Sequence, residues 1–212
     1  MVHGVRLLFA SALLAAGLTL GIQRVEAQTE TNTLDLLGVG WDKREVTVQI
    51  KAAGGVTSHA VADVEQAIVD WNLVLTHIKG APQLELVSGV KKAGITIQMK
   101  VGGGVTLGSA GSKTTSPFTC QLTSASIQLS GKAFGEAFSS TGTRNVALHE
   151  IGHVLGLGHS DDSADLMYPT FETSEVVGNE ALPISRCDKK GLEAIYPLPT
   201  TCTDIPNSVS CP

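Results

Sequence analysis

Apolar residues fall into two rhythms along the chain. In "REVTVQI" (Arg44–Ile50), Val46, Val48 and Ile50 alternate with polar neighbours, which predicts a half-buried strand. In "TSHAVADVEQAIVDWNLVL", Val61, Val64, Ile68, Trp71 and Leu75 recur at helical spacing. Thr57 or Ser58 can cap the start of that helix, and Gly80 and Pro82 end it. Leu84–Val87 and Ile95–Lys100 are further strand candidates, and Ala125–Ser130 alternates again. Gly102–Pro117 is rich in Gly, Ser and Thr and predicts a long loop. From Arg144 to Leu155 the period is helical until Gly156 and Gly158 break it. A loop-rich stretch to Pro183, a short helix over Asp188–Tyr196 and a tail with Pro197, Pro199 and Pro206 complete the chain. No internal repeat is visible. This order of elements predicts an α+β fold.

The first residues differ in kind. Arg6, the apolar run Leu7–Ile22 and Val25-Glu26-Ala27 read as the three regions of a signal peptide, residues 1–27. The alternative is an uncleaved anchor, because the run approaches the ~18 residues of a spanning helix. Gly17, Gly21 and the Val-x-Ala ending favour removal. The expected product is secreted or extracellular (periplasmic in a bacterium), with no stable membrane insertion after cleavage. Residues 28–40 then read as a short irregular leader, 41–199 as the main domain, and 200–212 as a Pro/Thr/Ser-rich tail. The net charge is −5 and no Lys/Arg-rich block occurs, which argues against nucleic acid or an anionic membrane surface as partner. Four cysteines, Cys120, Cys187, Cys202 and Cys211, form no CxxC pair. In an exported chain they suggest two disulfides with three connectivities open. Cys202–Cys211 with Cys120–Cys187 is the expected choice.

"HEIGHVLGLGH" (His149–His159) holds three of the six histidines. On a helix, positions i and i+4 share a face, so His149 and His153 can reach one metal ion. Glu150 projects roughly 100° further round, where it can approach a water without being a ligand. Gly156 can take a left-handed conformation at little cost, turning the chain so that His159 returns to the ion. Three neutral histidines with one open position describe a catalytic zinc site, and a glutamate beside it describes general base then acid. Eight residues on, Met167 lies in the turn-prone "DLMYP", matching the joined H-E-x-x-H-x-x-G-x-x-H and Met-turn signature.

"VALHEIGHVLGLGHSDDSADLMYPT" resembles the active-site segment of matrixins, the matrix-metalloproteinase-like branch of the metzincins. His-Ser at the third ligand and Leu-Met-Tyr-Pro at the turn carry the likeness. Trp41, "AIVDWN", "SASIQLS" and "ISRCDKKGLEAIYP" extend it more weakly across Trp41–Pro197. The resemblance implies a metzincin-type zincin: a twisted mixed sheet, an active-site helix and a small C-terminal subdomain, with residues 41–199 as catalytic domain. It implies one catalytic Zn²⁺ on His149, His153 and His159, catalysis by Glu150, and Met167 packed beneath the histidines. It gives Asp188 the task of anchoring the Met-turn backbone. The implied activity is that of a monomeric endopeptidase acting on protein or peptide substrates.

The chain departs from the family in several places. The propeptide cysteine of matrixin zymogens has no counterpart before Cys120, Gln28–Trp41 leaves no room for a folded prodomain, and Cys187 stands where the family has an aspartate. The mature chain keeps His59 and His77 ahead of the active-site helix, and both read as surface residues rather than structural-zinc ligands. Ca²⁺ near Gly102–Gly104 follows by analogy, but carboxylates are scarce there. By the same analogy, Ser124–Leu129 would pair with substrate backbone, and Pro169–Pro183, with Phe171, Val176 and Val177, would shape a side-chain pocket. Two other functions stay open: a metzincin-fold adhesion module with little hydrolysis, and a zinc amidase acting on a non-protein amide.

Overall fold

The computed structural model describes residues 31–90, 92–103, 106–114 and 119–211. Residues 1–27, read above as a signal peptide, lie outside them. Ten strands and four α-helices follow in order: β1 (Thr33–Leu36), β2 (Glu45–Ala52), α1 (Ser58–Leu75), β3 (Gln83–Leu86), β4 (Ile95–Met99), β5 (Gly108–Thr114), β6 (Leu122–Leu129), β7 (Lys132–Ala133), β8 (Glu136–Ala137), α2 (Ser140–Val154), β9 (Leu157–Ser160), α3 (Thr173–Val176), α4 (Arg186–Ile195) and β10 (Ser208–Ser210). This is the expected α+β architecture. A five-stranded mixed sheet runs β3-β2-β4-β6-β5, parallel except for the antiparallel β5.

The alternating strands place Val46, Val48, Ile95, Ile97, Ile127 and Leu129 in the core, and Ile97 sits in register with both Ile50 and Ile127. Helix α1 starts where Thr57 Oγ1 accepts the Ala60 N–H at 3.1 Å, and it buries Val64, Ile68, Trp71 and Leu75. It packs against α2, which also touches β5, β6, β9 and α3. A helix so surrounded shows little one-sided patterning, and Asn145, His149 and Glu150 are buried along with its apolar residues.

Three readings change. The Gly/Ser/Thr-rich stretch is no simple loop, since it contains β5, whose residues pair with β6 from Gly108↔Leu129 to Thr114↔Leu122. The segments read as leader and tail both supply strands: β1 lies between β9 and β10 in a second sheet. The expected disulfides are also corrected. β10 brings the chain end back beside α4, and the bond joins Cys187 to Cys211. Cys202 instead lies beside the buried Cys120, whose thiol is pushed up to about 11 by burial and by Cys202.

Candidate active site

Two tryptophans and a tyrosine clamp α2. Trp71 of α1 donates its indole N–H to Leu148 O at 3.0 Å, and Trp41 donates to Val154 O at 2.8 Å. Tyr196 Oη donates to Leu155 O at 3.1 Å and accepts the Trp41 N–H. The bonds to Val154 O and Leu155 O occupy carbonyls that a helix C-terminus leaves unpaired, while the bond to Leu148 O grips the helix earlier along its length. The helix then ends at Gly156, with φ +109°, where any Cβ would collide with Val39 O. β9 begins at once and carries His159 back toward His149 and His153.

The three imidazoles converge: one nitrogen from each lies within 4.8 Å of the others. His149 Nδ1 is 2.8 Å from Leu166 O, and His153 Nδ1 is 2.9 Å from Leu157 O. A carbonyl can only accept, so both Nδ1 atoms carry the proton and both Nε2 atoms present lone pairs. Those Nε2 atoms are 3.1 Å apart, close to the ~3.3 Å between two ligands ~2.05 Å from a tetrahedral ion. Two lone pairs at that distance repel unless a cation lies between them, so the donor set fits zinc. Burial, aided by His153, lowers the His149 imidazole to about 4, and burial also lowers His153. Both therefore stay neutral, as metal ligands must be.

Met167 is fully buried in the turn Asp165–Tyr168, which the Tyr168 N–H closes onto Asp165 O. It lies against α2 at Gly152, where an added Cβ would be 2.6 Å from Met167 Sδ and 3.4 Å from Trp71. Glycine at that helical position is what lets Met167 reach the helix between the two histidines. The resemblance implies that Asp188 anchors the Met-turn backbone; among the described residues it makes no hydrogen bond to that turn. Its Oδ2 accepts the Ser185 N–H at 2.7 Å in the capping box of α4, and its buried Oδ1 has no partner among the described residues. Burial and the nearby Asp165 raise its carboxyl to about 7.

Glu150 is buried, its Oε2 has no hydrogen-bond partner among the described residues, and burial raises its carboxyl to about 7. It lies against Gly108 of β5 so closely that a Cβ there would overlap the carboxylate. Glu150 and His149 line a cleft of about 840 Å³, with Leu107 and Gly108 before and within β5, Lys132–Gly135 of the β7–β8 hairpin, and Pro169–Phe171. Phe171 stands edge-on to His149, ring centroids 5.3 Å apart.

Several expectations about the surroundings are corrected. β6 is an interior strand, whereas β5 lies at the sheet edge beside Glu150, so Ser124–Leu129 has no free edge for substrate. Val176 is fully buried beneath Gly142 of α2, and of the expected pocket residues Phe171 lines the cleft. His59 and His77 are exposed. Gly104, in the stretch considered for calcium, lies outside the described residues. Sequence reading missed Gly108, Gly152 and Asn145. Asn145 is buried, donates to Glu175 O and Glu180 O at 2.8 and 2.7 Å, and accepts the Leu182 N–H at 3.0 Å. It thereby pins the loop after the Met-turn. The available signal was a glycine and an asparagine inside a helix that neither residue favours.

The family model described as Matrixin matches residues 40–197, most of the chain. This chain belongs to the matrixin family. It is 45% identical over 64 residues to Matrix metalloproteinase-2 of Drosophila melanogaster, covering 29% of this matrixin and 8% of the relative. It is 42% identical over 52 residues to Metalloendoproteinase 2-MMP of Arabidopsis thaliana, covering 24% and 13%. Human Neutrophil collagenase is 49% identical over 53 residues, covering 25% and 11%. The matched stretch thus spans about a tenth of the length of these curated relatives.

Proposed function

We propose that this matrixin is an exported, monomeric zinc-dependent endopeptidase. One zinc is held by His149, His153 and His159, and peptide bonds are hydrolysed with Glu150 as general base and then acid. The convergence of three imidazoles, two with their outer nitrogens committed to backbone carbonyls, carries the reading. Export rests on the signal-like N-terminal sequence. Among the described residues, no helix is long and apolar enough to cross a membrane.

Zinc, when bound, would supply Lewis acidity that polarises the scissile carbonyl and acidifies a water. β5 offers an edge to which an extended substrate backbone can add as a further strand. Glu150 takes a proton from water as its oxygen attacks the carbonyl carbon. As the C–N bond breaks, the same carboxyl passes that proton to the leaving amine. Glu150 is available for both transfers, since among the described residues no donor engages its Oε2. Incubation with a quenched peptide, with chelator and after zinc is restored, tests the proposal. Internal peptide-bond cleavage that is lost and then recovered is expected. Cleavage indifferent to chelator, or none on any peptide, overturns it.

A further inference from the structure

Phe134 is at odds with its surroundings. β7 and β8 are joined by the two-residue turn Phe134-Gly135, and both residues have positive φ, +53° and +86°. A two-residue hairpin turn with positive φ at both positions favours Asn, Asp or Gly at the first, and a bulky aromatic there is strained. Burial does not repay the strain, since Phe134 is 65% exposed. Among the described residues, the other exposed large apolar side chains are aliphatic.

The turn is also held in place. The Gly131 N–H donates to Gly102 O at 3.0 Å, Ser130 Oγ donates to Thr106 O at 2.8 Å, and Ala133 is buried. Gly103 lies so close against Lys132 that a Cβ would overlap the Lys132 carbonyl. The hairpin thus presents an aromatic ring on a fixed support, on the wall of the cleft that holds His149 and Glu150. Strain without burial, maintained beside a reactive cleft, points to a ligand contact.

We propose that Phe134 is a specificity-determining residue, its ring packing on a bulky apolar side chain of the substrate beside the scissile bond. This rests on the peptidase reading above. The experiment compares wild type with Phe134→Asn, which suits the turn and removes the ring, and with Phe134→Trp, which keeps an aromatic. Each is profiled on a peptide library in which one position at a time is apolar or small and polar. Phe134→Asn should melt about 2–4 °C higher as the strain is relieved. Its KM for peptides with the bulky apolar residue should rise about tenfold with kcat little changed, while small-residue peptides are cleaved as before. Phe134→Trp should keep the wild-type preference. An active wild type whose preference survives in Phe134→Asn, or whose loss is uniform across the library, overturns this inference alone. A wild type with no peptidase activity overturns the peptidase reading and this inference together.

Discussion

Substituting Gly108 by alanine should separate folding from catalysis. Gly108 begins β5 with φ outside the left-handed region, so alanine suits its backbone, and alanine is favoured over glycine in a strand by about 0.5–1 kcal/mol. The new methyl, however, would lie 2.7 and 2.8 Å from Glu150 Cγ and Cδ. Carbon atoms rest at ~3.5–4.0 Å, so the carboxylate must retreat by roughly 1 Å. A flexible side chain can make that move at small cost, so the melting temperature should stay within a few degrees of wild type. A shift of ~1 Å in a group that must meet the attacking water costs about a hundredfold in rate. Steady-state kinetics on a quenched peptide, with zinc content and melting curve measured on the same sample, reads all three quantities. Gly111→Ala in the same strand is the control, because its Cβ would meet only Ser126 Oγ at an ordinary 3.7 Å. Wild-type turnover in Gly108→Ala would refute the placement of Glu150 against β5.

Asn145→Ala should cost about 1–3 kcal/mol, because it leaves the buried Glu175 carbonyl unpaired and removes part-buried bonds to Glu180 O and from the Leu182 N–H. Limited proteolysis should then cut first within residues 169–183, and an unchanged melting curve would contradict the pinning role. Asp188 binds a proton more readily in the folded chain than when unfolded, so its contribution to stability is full below about pH 4 and is lost as pH rises to about 7. Melting temperatures across pH 4–8 should move in favour of Asp188→Asn relative to wild type, whereas parallel curves would show that the carboxyl is not perturbed. Peptide mapping without reduction should recover Cys187 linked to Cys211, and any second bond should link Cys120 to Cys202. A Cys120–Cys187 or Cys202–Cys211 peptide would contradict the packing of the tail.

Much of the fold was legible because periodicity reports burial on one face. The alternating valines of β2 and the helical spacing of Ile68, Trp71 and Leu75 each correspond to an observed element. β5 was not legible: "GSAGSKT" has no apolar alternation, because it forms a sheet edge and its glycine makes room for Glu150. β1, β9 and β10 are three or four residues long, and they exist through pairing with one another, which local sequence does not encode. The same applies to the cysteines, whose pairing follows from where β10 returns. The histidine and glutamate spacing within one helix could be read from local geometry alone. The Gly108–Glu150 contact could not, since it spans separate elements.

In the proposed mechanism, Glu150 moves the proton while the three histidines hold the metal. Its most direct test is Glu150→Gln, measured for zinc content and peptide turnover in one preparation. Glutamine preserves the shape but takes no proton, so one zinc per chain should remain while turnover falls about 10²- to 10⁴-fold. Near-full turnover with zinc retained would show that Glu150 is not the base.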